Sequence, residues 1–177
     1  MSTLAAALEY AERGWAILPL RARDKRPHAE VLEAVYRSPK WGGLSRRPAS
    51  APEIRAWFEA DPGANIGIIT GSASGGLVVV DVDRPERFDG THPPTPTVMT
   101  GRGHHLYFLA DSERRTQSHS WGELRAEGAY VVAPPSRHPG GAAYEWSIGL
   151  ADAPLAALDE LRLYSSAGGL SLGRNIP

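Results

Sequence analysis

The chain has no cysteine among its 177 residues, which removes disulfides and every thiolate-ligated zinc or iron–sulfur centre. No apolar run approaches the roughly 20 residues needed to cross a bilayer. The opening segment MSTLAAALEYAERGW lacks the positive start and apolar centre of a secretory signal. These absences point to a soluble, cytoplasmic protein with no membrane partner. A surplus of either charge is missing too. The formal net charge is −1, whereas a non-specific DNA binder is usually strongly basic. What remains, 42% apolar and 22% charged residues, is an ordinary globular composition, sufficient for one substantial core or two small lobes.

The basic residues are unevenly placed. Arg21, Arg23, Lys25, Arg26, Arg37, Lys40, Arg46 and Arg47 crowd one stretch against Asp24, Glu30 and Glu33. Two readings stand: a solvated loop, or an edge facing nucleic-acid phosphates, where each contact releases counterions. On the second reading Lys25, Arg46 and Arg47 are the nucleic-acid contacts.

No internal repeat is present. Leu4, Ala7, Leu8 and Ala11 recur at helical spacing and Gly14 follows, predicting a helix over Thr3 to Arg13. WAILPL (Trp15 to Leu20) reads as a strand, and 21–48 as loop with a short helix near Ala29 to Tyr36. Ser50 and Glu53 make a capping box that opens a helix through Phe58. Strands are expected at Ile66 to Thr70, Leu77 to Asp83, Val98 to Thr100, His105 to Ala110, Glu123 to Arg125, Tyr130 to Ala133 and Ala143 to Ser147. Pro154 to Leu163 reads as a final helix. Residues 1–164 thus form one α+β domain, and the glycine- and serine-rich stretch 165–177 a linker or flexible tail. The whole looks like the beginning of something larger, cut at a linker.

Chemistry concentrates in three places. Leu77-Val78-Val79-Val80-Asp81-Val82-Asp83 is an apolar run that suits a strand buried on both faces. Its period of two points Asp81 and Asp83 the same way. Paired hard oxygen donors suit Mg²⁺ or Mn²⁺, while the bland alternative is a strand ending in solvated acids. Thr100-Gly101-Arg102-Gly103-His104-His105 is a glycine turn running into a strand. It is either an anion-binding nest with Arg102 and His105 aimed at a polyphosphate, or a hairpin with surface histidines. Alternation puts His105 and Tyr107 on one face and His104 on the other. In Gly122-Glu123-Leu124-Arg125, Glu123 and Arg125 share a face, and Glu123 offers a third carboxylate. Ser136 and His138 follow a double proline and are candidates for phosphate contact.

In this order, the pieces resemble the bifunctional primase-polymerase N-terminal domain of the archaeo-eukaryotic primase superfamily. The resemblance runs from about Ala6 to Trp146. It is carried by Tyr10, Gly14-Trp15, Lys25-x-Pro27, Trp57, Asn65-Ile66-Gly67 and Thr70-Gly71. It continues through Asp81-Val82-Asp83, Thr100 to Gly103 with His105 to Phe108, Tyr130 to Ser136, and Tyr144-Glu145-Trp146.

The resemblance implies a fold with an N-terminal α/β part, an RRM-like sheet, and the active cleft between them. It implies a nucleotidyltransferase, a template-dependent DNA primase or polymerase extending a 3′-OH by two-metal chemistry. Asp81, Asp83 and Glu123 would be both catalytic and metal-binding. Gly103 and His105 would contact nucleotide phosphates, with Arg102, Arg125, Ser136 and His138 as further nucleotide-binding candidates. Implied partners are DNA template and primer, nucleoside triphosphates and a C-terminal helicase or priming domain. The sequence departs from the family pattern in having Glu123 where Asp is commoner and few glycines in Arg125 to Ala129. Two rivals share the same residues: a non-catalytic replication-initiator module that binds nucleic acid, and a metal-dependent hydrolase of nucleotides or nucleic acid.

Overall fold

The computed structural model describes residues 2–164. Three helices precede most of the strands. Helix α1 (Thr3–Glu12) starts where Ser2 Oγ accepts from the Ala5 amide at 3.2 Å. It ends where Gly14 turns out of the helix at φ +86°, a conformation glycine adopts without strain. Helix α2 (Ala29–Tyr36) is N-capped by His28 and stops at Arg37, which takes the left-handed conformation. Helix α3 (Ala51–Ala60) opens with Glu53 reaching back to accept from the Ser50 amide at 2.7 Å. The buried faces of α1 (Ala6, Ala7, Tyr10) and α3 (Ile54, Trp57, Phe58) join one core.

Strands β1 (Ala16–Leu20), β2 (Asn65–Ile69) and β9 (Tyr130–Ala133) form a small antiparallel sheet in the order β1-β2-β9. A second, larger sheet runs β10-β5-β6-β3-β8-β7. It comprises β3 (Leu77–Val82), β5 (Thr97–Met99), β6 (His104–Leu109), β7 (Gln117–His119), β8 (Gly122–Arg125) and β10 (Glu145–Ile148). Strand β11 (Ala156–Ala157) pairs parallel with β6, and β12 (Arg162–Leu163) pairs with β4 (Gly90–Thr91).

Strand β3 shows how the sequence builds this arrangement. Leu77 and Val79 enter the core shared with the helices and the small sheet. Val78, Val80 and Val82 enter a second core with Leu106, Phe108, Trp121, Leu124, Leu158 and Leu161. Alternation across a pleated strand separates the two sets. Asp81 continues the odd-numbered face, and so opens between the two sheets, where apolar packing gives way to a cavity.

One expected element differs. Leu155, Leu158 and Leu161 suggest helical spacing, but 154–163 forms β11, a single 3₁₀ turn (Leu158–Glu160) and β12. The Ala156 amide donates to Thr95 Oγ1 at 3.1 Å, and the strand beside β6 completes the second core. Tertiary pairing outweighs a weak local helical tendency here. The expected linker at 165–177 lies outside the described residues.

Among the described residues, no helix is long and apolar enough to cross a membrane. The mixed α+β architecture is as the sequence predicts; its named strands pair antiparallel except β11 with β6.

Candidate active site

Asp81 stands at the centre of one row. Its register partner on β6 is His105 and its register partner on β8 is Glu123. His105 is buried, and its Nε2 lies 3.3 Å from Asp81 Oδ1. Arg125 comes from β8, two residues beyond Glu123. Its Nη2 lies 2.6 Å from Glu123 Oε2 and its Nε 3.6 Å from Asp81 Oδ2. The Glu123 contact is close but lacks hydrogen-bond geometry: Glu123 Oε2, Arg125 Nε and His105 Nδ1 are buried without a hydrogen-bond partner. His104 faces the other way, edge-on to Phe88, as alternation predicts.

A cavity of about 150 Å³ opens over this row, lined by Lys25, Asp81, His105, Arg125, Tyr130 and Tyr144 among others. Burial pushes the Asp81 carboxyl up, but His105, then Arg125 and Lys25, outweigh it and hold the group below its ordinary value. Asp81 is therefore ionised at neutral pH despite its enclosure. Tyr144 goes the other way. Burial chiefly, then the negative charges of Asp81 and Asp83, push its phenol up to about 12. Asp83 itself is exposed, one residue past the end of β3.

Two glycines shape the end of that strand. A Cβ on Gly103 would overlap the Val82 carbonyl oxygen, and one on Gly122 would overlap the Asp81 carbonyl oxygen. Their missing side chains let β6 and β8 close on β3 from both sides where its acids emerge. The Gly103 amide itself donates to Thr100 Oγ1 at 3.0 Å, so this N–H is engaged within the turn.

The remaining predicted residues divide into two groups. The charges of Lys25 and Arg102 both act on His138. Burial lowers the His138 imidazole, and the cations Lys25 and Arg102 lower it further. Gly101 packs against the His138 ring, which in turn lies 6.2 Å from Tyr144. Ser136 does not join them. It is buried, and its Oγ accepts from the Ile66 amide at 2.8 Å, fixing the start of the central strand β2. Arg46 is exposed beside a separate surface groove of about 480 Å³ that also includes Tyr36 and Lys40. Arg47 in the same groove is tied to Glu53 by two hydrogen bonds of 2.6 and 3.1 Å.

Lys25 reaches the cavity through long-range ties that its sequence position does not reveal. Asn65 Nδ2 donates to the Asp24 and Arg137 carbonyls at 3.0 and 2.8 Å, and Tyr130 O–H donates to the Lys25 carbonyl at 3.0 Å. Tyr130 and Tyr144 are site residues that sequence reasoning passed over. Alternation offers no signal for either: Val131 and Val132, on opposite faces of β9, both line the cavity with Tyr130, and Tyr144 precedes β10.

A hard divalent cation fits this donor set in chemistry, since Asp81, Glu123 and Asp83 supply oxygen ligands and Glu123 Oε2 is unsatisfied. Among the described residues, however, no three His, Asp or Glu side chains are gathered tightly enough to cage an ion. Asp81 and Glu123 are adjacent, and Asp83 stands off at the strand end.

A comparison with curated proteins found no match. A family model described as bifunctional DNA primase/polymerase, N-terminal, matches residues 7–158, a span that contains the cavity, both sheets and all three acids. The chain belongs to this Prim-Pol family.

Proposed function

We propose that the chain is a DNA-templated nucleotidyltransferase that extends a 3′-OH in the cavity between its two sheets, with Asp81, Asp83 and Glu123 holding Mg²⁺ or Mn²⁺. One observation carries the reading. His105, Asp81 and Glu123 form a single row across three hydrogen-bonded strands, under a cavity whose walls add Lys25 and Arg125. The two-sheet layout around that cavity supports an archaeo-eukaryotic primase-like fold with its cleft in the same position.

The reaction forms a bond between the 3′-oxygen and the α-phosphorus, breaks the bond to the β-phosphate and releases pyrophosphate. When bound, the cations would lower the pKa of the attacking hydroxyl and stabilise the leaving pyrophosphate. The protein's part is position and charge compensation. His105 orients Asp81 and keeps it ionised. Lys25, Arg102 and His138 face the β- and γ-phosphates, where positive charge and a neutral imidazole can both be used. Gly103 shapes the turn that presents Arg102, and Ser136 secures the sheet behind it. Lys40 and Arg46, exposed and with no ion pair among the described residues, would meet template or primer phosphates. Such a domain would work beside a C-terminal helicase or priming domain in a longer protein.

A second reading draws on a different observation: the acids are not gathered into a cage. On that account the domain binds nucleic acid without chemistry. Release of pyrophosphate from nucleoside triphosphates separates the two. The first reading predicts release that requires primer–template together with Mg²⁺ or Mn²⁺, and that is lost in Glu123→Ala. DNA binding indifferent to the cation, with no pyrophosphate formed, would favour the second.

A further inference from the structure

Two arginines elsewhere among the described residues each hold a single carboxylate by two hydrogen bonds. Arg47 makes two hydrogen bonds to Glu53, at 2.6 and 3.1 Å, and Arg26 makes two to Asp24, at 2.8 and 2.6 Å. That two-bond geometry is what a guanidinium adopts when its purpose is to hold one carboxylate. Arg125 does something else. It straddles two carboxylates on adjacent strands, with Nη2 at 2.6 Å from Glu123 and Nε at 3.6 Å from Asp81, and neither Nε nor Glu123 Oε2 completes a hydrogen bond. Its side chain is about one-third exposed, so it has room to leave.

Asp81 and Glu123 are direct cross-strand partners. Like charges so placed repel unless a cation sits between them. Resting on the cation reading above, we infer that Arg125 is a resident counter-ion that occupies the cation's place between Asp81 and Glu123 and is displaced when a divalent ion binds. A guanidinium beside a doubly charged ion is repelled by it, and Lys25 already lends positive charge to the same cavity. An incoming triphosphate brings negative charge that can take up the displaced side chain. Arg125 thereby couples the two events: the cation frees it, and the nucleotide takes it up.

The test is Mn²⁺ binding to the nucleotide-free protein, read from the electron paramagnetic resonance signal of free Mn²⁺. Wild type, Arg125→Gln, Arg125→Lys and Asp81→Asn are compared. Arg125→Gln removes the competitor, so Mn²⁺ affinity rises by roughly tenfold, the exchange of one ion pair. Arg125→Lys keeps the charge and protects against loss of folding, but cannot straddle both carboxylates, so its affinity falls between the two. Without metal, the thermal midpoint of Arg125→Gln drops, and Mn²⁺ restores it by more than it raises wild type. With Mn²⁺ saturating, a fluorescent nucleotide binds Arg125→Gln more weakly than wild type. If Asp81→Asn abolishes Mn²⁺ binding while Arg125→Gln and Arg125→Lys bind no tighter than wild type, Arg125 organises the ligands and the inference is overturned alone. If neither wild type nor Arg125→Gln binds Mn²⁺, it falls together with the cation assignment beneath it.

Discussion

His105 on β6 and Asp81 on β3 are register partners, and the imidazole Nε2 sits 3.3 Å from the carboxylate it faces. Burial alone would raise the Asp81 carboxyl; the facing imidazole is the chief reason it lies below its ordinary value instead. In His105→Ala that restraint is gone, and the Asp81 carboxyl titrates upward from its wild-type position. Carbon-detected NMR of the side-chain carboxyls follows this directly. The same variant loses roughly 10–100-fold in nucleotide incorporation, the usual scale for removing a group that orients a metal ligand. An unmoved titration would show that His105 packs beside Asp81 without controlling it.

Acid stability depends on Glu53, well away from the cavity. Its carboxyl is lowered from 4.5 to about 2, chiefly by the Arg47 guanidinium, against opposing burial. A depressed folded-state pKa means the contribution is fully present above the unfolded value of 4.5 and is lost as pH falls through about 2. The stability gap between wild type and Glu53→Gln is therefore constant from pH 7 to about 5 and closes toward pH 2. Urea denaturation across that range measures it. A gap that widened on acidification would contradict the sign.

Gly122 and Gly128 both take positive φ, at +151° and +73°, but differ in surroundings. A Cβ at Gly122 overlaps the Asp81 carbonyl oxygen, whereas one at Gly128 meets nothing within 4 Å. Gly122→Ala is expected to cost about 3 kcal/mol or more through forced separation of β8 from β3. Gly128→Ala pays only the backbone cost of about 1–2 kcal/mol. Chemical denaturation ranks the two.

The place of Ser136 after two prolines suggests a phosphate ligand, yet its hydroxyl serves the Ile66 amide. Ser136→Ala leaves that buried N–H unpaired and costs about 1–3 kcal/mol, with nucleotide affinity unchanged. His138→Ala, at a ring that feels the charges of Lys25 and Arg102, does the reverse: affinity falls while stability is nearly preserved. Isothermal titration with a nonhydrolysable nucleotide, alongside denaturation, separates these outcomes.

Local signals were legible wherever sequence pattern and packing agree. The run Leu77 to Val82 announced a doubly buried strand, and Ser50 with Glu53 announced α3. Face assignments from alternation also held: Glu123 lies with Arg125, and His105 faces opposite to His104. Long-range placement was not legible. Lys25 enters the cavity because Asn65 and Tyr130 hold its loop, from 40 and 105 positions away. Strand β7, Gln117–His119, is a polar edge without an apolar signal. The stretch 154–163 carried helical spacing that pairing with β6 and β4 overrode. The sequence suggests one set of three acids; Asp81 and Glu123 are neighbours across the sheet, while Asp83 is exposed beyond it.

The most direct test is extension of a labelled primer on a template, resolved on a gel, with Mg²⁺ or Mn²⁺ and nucleoside triphosphates, for wild type and Asp81→Asn. The substitution keeps the size of the side chain, removes its charge and turns one acceptor oxygen into a donor. The account predicts template-dependent extension by wild type, and none by an Asp81→Asn protein that is folded to the same extent. Extension at the wild-type rate by Asp81→Asn would contradict the placement of the chemistry at this row.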